Sequence, residues 1–160
     1  AKEVGKTVFF GVRSDHEVVY ICKTEPENPI ITTATVGTKN PMYCTSLGKA
    51  ILAYSDEETC GQIMARMKFK KHTERTITDR ESLKRELERV RDQGYALDER
   101  EVEEHMECVG APVFGPDGSV VGALSVSSLY KPTEDYEQLG RLTAKKAAEV
   151  SKLLGFLGKI

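Results

Sequence analysis

Serine and cysteine recur near the end of this chain where a strand would set them on one face among small residues, a set suited to binding a polar small molecule. The segment Glu107 to Ser128, ECVGAPVFGPDGSVVGALSVSS, reads as two strands around Gly115-Pro116-Asp117-Gly118. Pairing Phe114 with Ser119 across that turn sets Pro112 opposite Val121, Gly110 opposite Ala123, Cys108 opposite Ser125 and Met106 opposite Ser127. One face then gathers Cys108, Gly110, Ala123, Ser125 and Ser127, while Val109, Ala111, Val113, Val120, Leu124 and Val126 form an apolar face that helices would cover. A bulge at Gly118 would shift this register by one. A solvated strand face usually carries Lys, Glu or Thr, so small hydroxylated residues point to a shallow cavity.

A second feature suits an anion. In TSLGKAILA, Thr45 to Ala53, a buried helix would start at Ser46, Leu47 and Gly48, and its unpaired N–H groups and dipole favour a carboxylate. Gly48 serves equally well to let the helix pack closely, and the hydroxyls to cap their own helix. Asp98, the one acidic residue of GYALD, stands at a strand end, where exposure is the default for aspartate. Cys108 reads as a small buried hydrophobe before it reads as a nucleophile. His105-x-x-Cys108 lacks a second pair of zinc ligands, and there is no phosphate-cradling glycine loop or GxSxG elbow. No catalytic residue, metal or cofactor is expected.

The elements that must hold these residues follow from periodicity. Thr7 to Arg13 and Glu17 to Thr24 form a hairpin around Ser14-Asp15-His16, and Ile30 to Val36 reads as a third strand. Ser55 with Glu58 opens a helix from about Asp56 to Met67. Thr78 with Glu81 opens another, with the stripe Leu83, Leu87, Val90 and a stop at Gly94. Tyr95 to Asp98 is a short strand, and Glu99 to Glu107 is acidic and of no assigned structure. Pro132-Thr133-Glu134 starts a last helix with apolar positions at Leu139, Leu142, Ala147, Val150, Leu153 and Leu154. The order implies an antiparallel α+β domain, helices stacked on one face of a sheet of five or six strands.

A length of 160 residues suits one domain, 1–160, able to bury a core without crosslinks. A net charge of −2, with no long basic run, excludes an electrostatic footprint for nucleic acid within this chain. No apolar stretch approaches a membrane span, and there is no signal-peptide core, so the expectation is a cytoplasmic protein with no membrane partner. Cys22, Cys44, Cys60 and Cys108 have no CxxC spacing and fit reduced thiols. The start at Ala1 without methionine is compatible with a piece of a longer chain.

Taken together, TSLGKAILA, then TITDRESLKRELERVRDQGYALDERE, then ECVGAPVFGPDGSVVGALSVSS resemble the effector-binding domain of IclR-type bacterial transcription regulators, over essentially the whole chain. The resemblance implies a GAF-like fold, a homodimer or homotetramer, and DNA contact only through an N-terminal winged helix-turn-helix absent from this sequence. It further implies that Ser46 and Leu47 line an effector pocket through main-chain donors, that Asp98, Cys108, Ser125 and Ser127 are its polar positions, and that Met106 is on its apolar wall. Met42-Tyr43-Cys44-Thr45 departs from the LHAT of many relatives, and Asn40 replaces an apolar residue. Tyr43 and Cys44 therefore bear on ligand identity.

The expected function is therefore sensing. A small organic acid would place its carboxylate at Ser46–Gly48 and on the Ser125 and Ser127 hydroxyls, with Asp98 and Cys108 selecting the other end. Asp98 would repel a second carboxylate, favouring keto, hydroxy or aromatic acids over diacids. The rival is a redox enzyme or redox sensor with Cys108 as nucleophile and Cys44 or Cys60 resolving it, which requires a depressed thiol pKa. A bare oligomerisation module is the third possibility.

Overall fold

The computed structural model describes residues 1–30 and 32–158. β-branched and aromatic runs make the hairpin β1 (Thr7–Ser14) and β2 (Glu17–Thr24). After β3 (Lys39–Pro41) and a 3₁₀ turn at Met42–Cys44 come α1 (Ser46–Tyr54), α2 (Glu57–Arg66) and α3 (Arg80–Gln93). Next are β4 (Ala96–Glu99), β5 (Met106–Phe114), β6 (Val120–Leu129) and α4 (Tyr136–Leu153). The six strands form one antiparallel sheet in the order β3-β2-β1-β6-β5-β4.

Helices cover both faces of this sheet, and the expectation of a single covered face is corrected. Phe9, Ala96 and Ala123 pack with α1 and with Leu83, Leu87 and Val90 of α3. The alternate residues Val109, Ala111, Val113 and Val126 pack against Leu139 and Ala147 of α4. Strand alternation thus feeds two cores from one sheet. α1 is buried from Ser46 to Ala53 because it lies between sheet and α3. At the end of α4 the buried face is carried by Ser151, whose hydroxyl meets Phe114 N, so Leu153 and Leu154 of the expected stripe are exposed.

The β5–β6 register differs from the expected one by two residues: Cys108 faces Ser127, Gly110 faces Ser125 and Met106 faces Leu129. A bulge after Val113 leaves Val121 without a partner, exposed on the outer turn of the strand. Because the shift beyond the bulge is even, side chains from Gly122 onward keep their face, whereas Val120, expected beside Val109 and Val126, pairs with Phe114 and packs into the α1-side core.

No described residue of Ile30 to Val36 is a strand, and Ile31 lies outside the described residues. Threonine hydroxyls there bond the local chain instead: Thr32 Oγ1 donates to Ala34 O (3.1 Å), and Thr38 Oγ1 accepts from Thr35 N (3.0 Å). The third strand is β3, with Asn40 paired to Val18. Three helices start one to four residues later than expected, because Asp56, Asp79 and Asp135 are the caps, each accepting a backbone N–H at 2.8 Å. A carboxylate also complements the helix dipole, which a Ser or Thr cap does not. Gly94, at φ +84, ends α3 as expected.

Candidate functional site

Strand register builds a polar row across the α1 side of the sheet. Thr7 of β1 pairs with Ser127 of β6, Ser127 with Cys108 of β5, and Cys108 with Asp98 of β4. Directly paired residues point to the same face, so four polar side chains stand side by side on four adjacent strands. The next row of that face is Phe9, Ser125, Gly110 and Ala96.

A cleft of ≈ 50 Å³ opens over the first row, with Asp98, Met106, Cys108 and Ser127 in its wall. Phe9, Tyr20, Asn40 and Thr45 complete the wall, and residues 32–34 lie across it. Asn40 Nδ2 donates to the Tyr20 hydroxyl at 3.3 Å. Tyr20 and Asn40 escaped detection from sequence because the first sits on a strand two places from β6 and the second on the unrecognised β3. Of the two departures in the helix-start region, Asn40 faces the cleft. Tyr43 turns away, its hydroxyl donating to Lys70 O (2.9 Å) and accepting from Lys70 N (2.8 Å).

The other expected site residues stand behind this wall. A Cβ on Gly110 would lie 2.7 Å from the Ser46 backbone, so Ser46 rests directly on the strand next to the buried Ser125. A Cβ on Gly48 would lie 2.3 Å from Met42 Cα, so this glycine admits the 3₁₀ turn against α1. The Gly48 amide already donates to Thr45 Oγ1 at 3.2 Å. Leu47 is buried with its Cδ1 3.0 Å from where a Cβ on Gly11 would stand. Ser46, Leu47, Gly48 and Ser125 are therefore not among the residues lining the cleft.

Asp98 is buried, against the default for its type, and its Oδ1 accepts the Glu101 amide at 2.7 Å. That bond fastens the turn which aims Glu101 at Lys49. Lys49 Nζ, buried within α1, binds Glu101 Oε1 and, at 3.2 Å, Glu86 Oε1 of α3. Burial opposes the Lys49 charge, but Glu101 and Glu86 more than offset it and its pKa is raised. Burial raises Glu101 despite Lys49, and Glu101 Oε2 has no partner. Burial, then the neighbouring Glu101 charge, push Asp98 up to about 7. Lys49 is thus held among three carboxyl groups, one of which, Glu86, also meets Arg89 Nη1 at 3.6 Å.

Residues 1–152 match the family model described as the bacterial transcriptional regulator IclR C-terminal domain. The chain belongs to the IclR family. It is 33% identical over 153 residues to the regulator KdgR of Escherichia coli, covering 94% of this chain and 58% of KdgR. Among solved structures, Thermotoga maritima IclR superposes with a TM-score of 0.90 at 35% identity, over 97% of this chain and 64% of that one. The inducer-binding domain of an Acinetobacter PobR double mutant, in complex with 3-hydroxybenzoic acid, superposes with a TM-score of 0.83 at 25% identity, over 94% and 90% of the two chains. The chain thus spans little more than half the length of the curated KdgR relative.

IclR C-terminal domains are regulatory and not enzymatic, and the thiol chemistry agrees. Burial, reinforced by the Asp98 charge, raises the pKa of both Cys44 and Cys108. Protonated thiols are poor nucleophiles, so neither meets the requirement of a redox centre. All four cysteines are free. No helix among the described residues is long and apolar enough to cross a membrane.

Proposed function

We propose that this IclR C-terminal domain senses a small organic acid in the cleft over Asp98, Cys108 and Ser127. The observation that carries the proposal is the polar row itself: hydroxyl, thiol and carboxyl side chains on four adjacent strands, bordering a cleft, with the buried Thr7 hydroxyl left unpaired. At ≈ 50 Å³ the cleft admits little more than water. A metabolite enters by displacing residues 32–34, which are held by the Thr32 Oγ1 bond to Ala34 O and by one bond to the rest of the domain, Thr33 Oγ1 donating to Glu103 Oε1 at 2.6 Å. Asp98 accepts from a ligand hydroxyl, or donates to a keto oxygen when protonated, and repels a second carboxylate. The hydroxybenzoic acid held by the PobR domain is a ligand of the same kind.

Ser125, Ser46, Leu47 and Gly48 act behind the wall, holding β5, β6 and α1 at the spacing that the cleft requires. In the full-length regulator a homodimer or homotetramer repacks when the acid binds, and DNA-binding segments outside this sequence read the change. A thermal-shift panel of pyruvate, glyoxylate, 2-oxobutyrate, gluconate and 3-hydroxybenzoate tests the reading, because a ligand stabilises the native state by mass action. At least one acid is expected to raise the melting temperature of the parent and not that of the Ser127→Leu variant. A flat response across the panel, or an equal response of that variant, contradicts it.

A further inference from the structure

A second cavity, of ≈ 480 Å³, lies beside α3 and shares no lining residue with the cleft. Arg85, Glu86 and Arg89 of that helix line it, with Arg75 before the helix and Glu99 and Glu101 at the end of β4 and just beyond. Its size is that of a small-molecule site, roughly 300–1,000 Å³.

The charges on its wall do not cancel. Glu86 meets Lys49 at 3.2 Å and Arg89 at 3.6 Å, Glu99 meets the same Arg89 at 3.8 Å, and Glu101 is bound by Lys49. Every carboxyl group therefore has a cation. Arg75 and Arg85, in contrast, have no ion pair among the described residues, and Arg85 Nη2 donates to the neutral Ser82 hydroxyl at 3.0 Å. Burial favours the neutral form of Glu101, which leaves the positive excess larger still. Two guanidinium groups without counter-charge at one cavity suit a dianion, and phosphate oxygens accept from several guanidinium N–H groups at once.

Glu101 supplies an independent observation. It is 4% exposed, Lys49 occupies its Oε1, and its Oε2 is buried with no hydrogen-bond partner. An unpaired buried oxygen costs stability that a bound partner returns. A hydroxyl group both donates and accepts, so it satisfies this oxygen whether Glu101 is ionised or protonated.

We infer that this cavity is a second ligand site, taking a small phosphate monoester that carries a hydroxyl: the phosphate bridges Arg75 and Arg85, and the hydroxyl pairs with Glu101 Oε2. Glu101 links the site to the cleft, since its amide is held by Asp98 Oδ1 at 2.7 Å while its carboxyl lines the second cavity.

The test uses calorimetry on the 160-residue chain, with glycerol 3-phosphate as probe and propyl phosphate as its counterpart without hydroxyls. The parent is expected to bind glycerol 3-phosphate, and propyl phosphate about tenfold more weakly, with the protein itself unchanged between the two. Arg75→Gln and Arg85→Gln, both at exposed positions, are expected to keep the parent's melting temperature and each to lose about tenfold in affinity for glycerol 3-phosphate. Arg141→Gln, on the exposed face of α4, should leave that affinity unaltered. A parent that does not bind glycerol 3-phosphate overturns the inference, as does undiminished affinity in either Arg75→Gln or Arg85→Gln. An equal loss in Arg141→Gln would mean diffuse attraction to surface charge, and equal binding of propyl phosphate would remove Glu101 from the site; either overturns it too. None of these outcomes depends on whether an organic acid binds over Asp98, so this site and the effector cleft stand or fall separately.

Discussion

The two faces of the central sheet are built to different standards. Toward α4, Val109, Ala111, Val113 and Val126 meet Leu139 and Ala147, and the two buried hydroxyls of α4 are fully employed. Thr143 donates to Leu139 O (2.8 Å), while Ser151 donates to Ala147 O (2.8 Å) and accepts from Phe114 N (2.9 Å). Toward α1, the same strands present Thr7, Ser127, Cys108 and Asp98, with two unpaired buried oxygens nearby and cavities between. Unsatisfied groups cost stability on the face where a ligand can satisfy them, and the saturated face offsets that cost.

Mutations can sharpen or break this contrast. The largest effect is expected from Lys49→Met, which strands the buried Glu101 without a counter-charge, leaves Glu86 with Arg89 alone, and should cost about 3–5 kcal/mol in urea unfolding. A variant of near-parent stability would show the cluster to be protonated. Leu139→Ala on the saturated face should cost about 2–4 kcal/mol and leave acid affinity unchanged. A large change in affinity there would break the division of labour between the faces.

Asp98→Asn probes the pH dependence. With its folded pKa raised from 3.8 to about 7, Asp98 favours folding at low pH, and that contribution is lost as pH rises through about 7. The asparagine variant can still accept the Glu101 amide, so its stability profile should be flatter by on the order of 1–3 kcal/mol between pH 4 and 8. Denaturant midpoints across that range check it, and parallel profiles would mean that Asp98 is ionised throughout. Smallest of all, Leu153→Ser, on the outer side of the last turn of α4 and 87% exposed, should change stability by less than about 0.5 kcal/mol. A larger loss in the chain alone would mean that this end of α4 is packed against something.

Much of this contrast was legible in the residues. The alternation in ECVGAPVF and ALSVSS separates the two faces, and it survives a register error because the bulge at Val121 and the turn together shift the pairing by an even number. Partners were not legible, since a one-residue bulge leaves no mark in composition. Thr7 escaped because β1 meets β6 across more than a hundred residues of chain, and pairing at that separation is decided by the whole sheet. Lys49 read as one more residue of a buried helix, and its partners lie 37 and 52 residues downstream. The burial of Asp98 likewise depends on α1 and the Glu101 turn, which no local pattern announces.

The central claim is that ligand binding belongs to one face of the sheet. An amide NMR titration of the 160-residue chain with the most stabilising acid of the panel tests it most directly. The account predicts saturable shifts centred on Thr7, Asp98, Cys108 and Ser127, with Val109, Val113 and Leu139 little affected. Shifts centred on α4 and the Val109 face would contradict it.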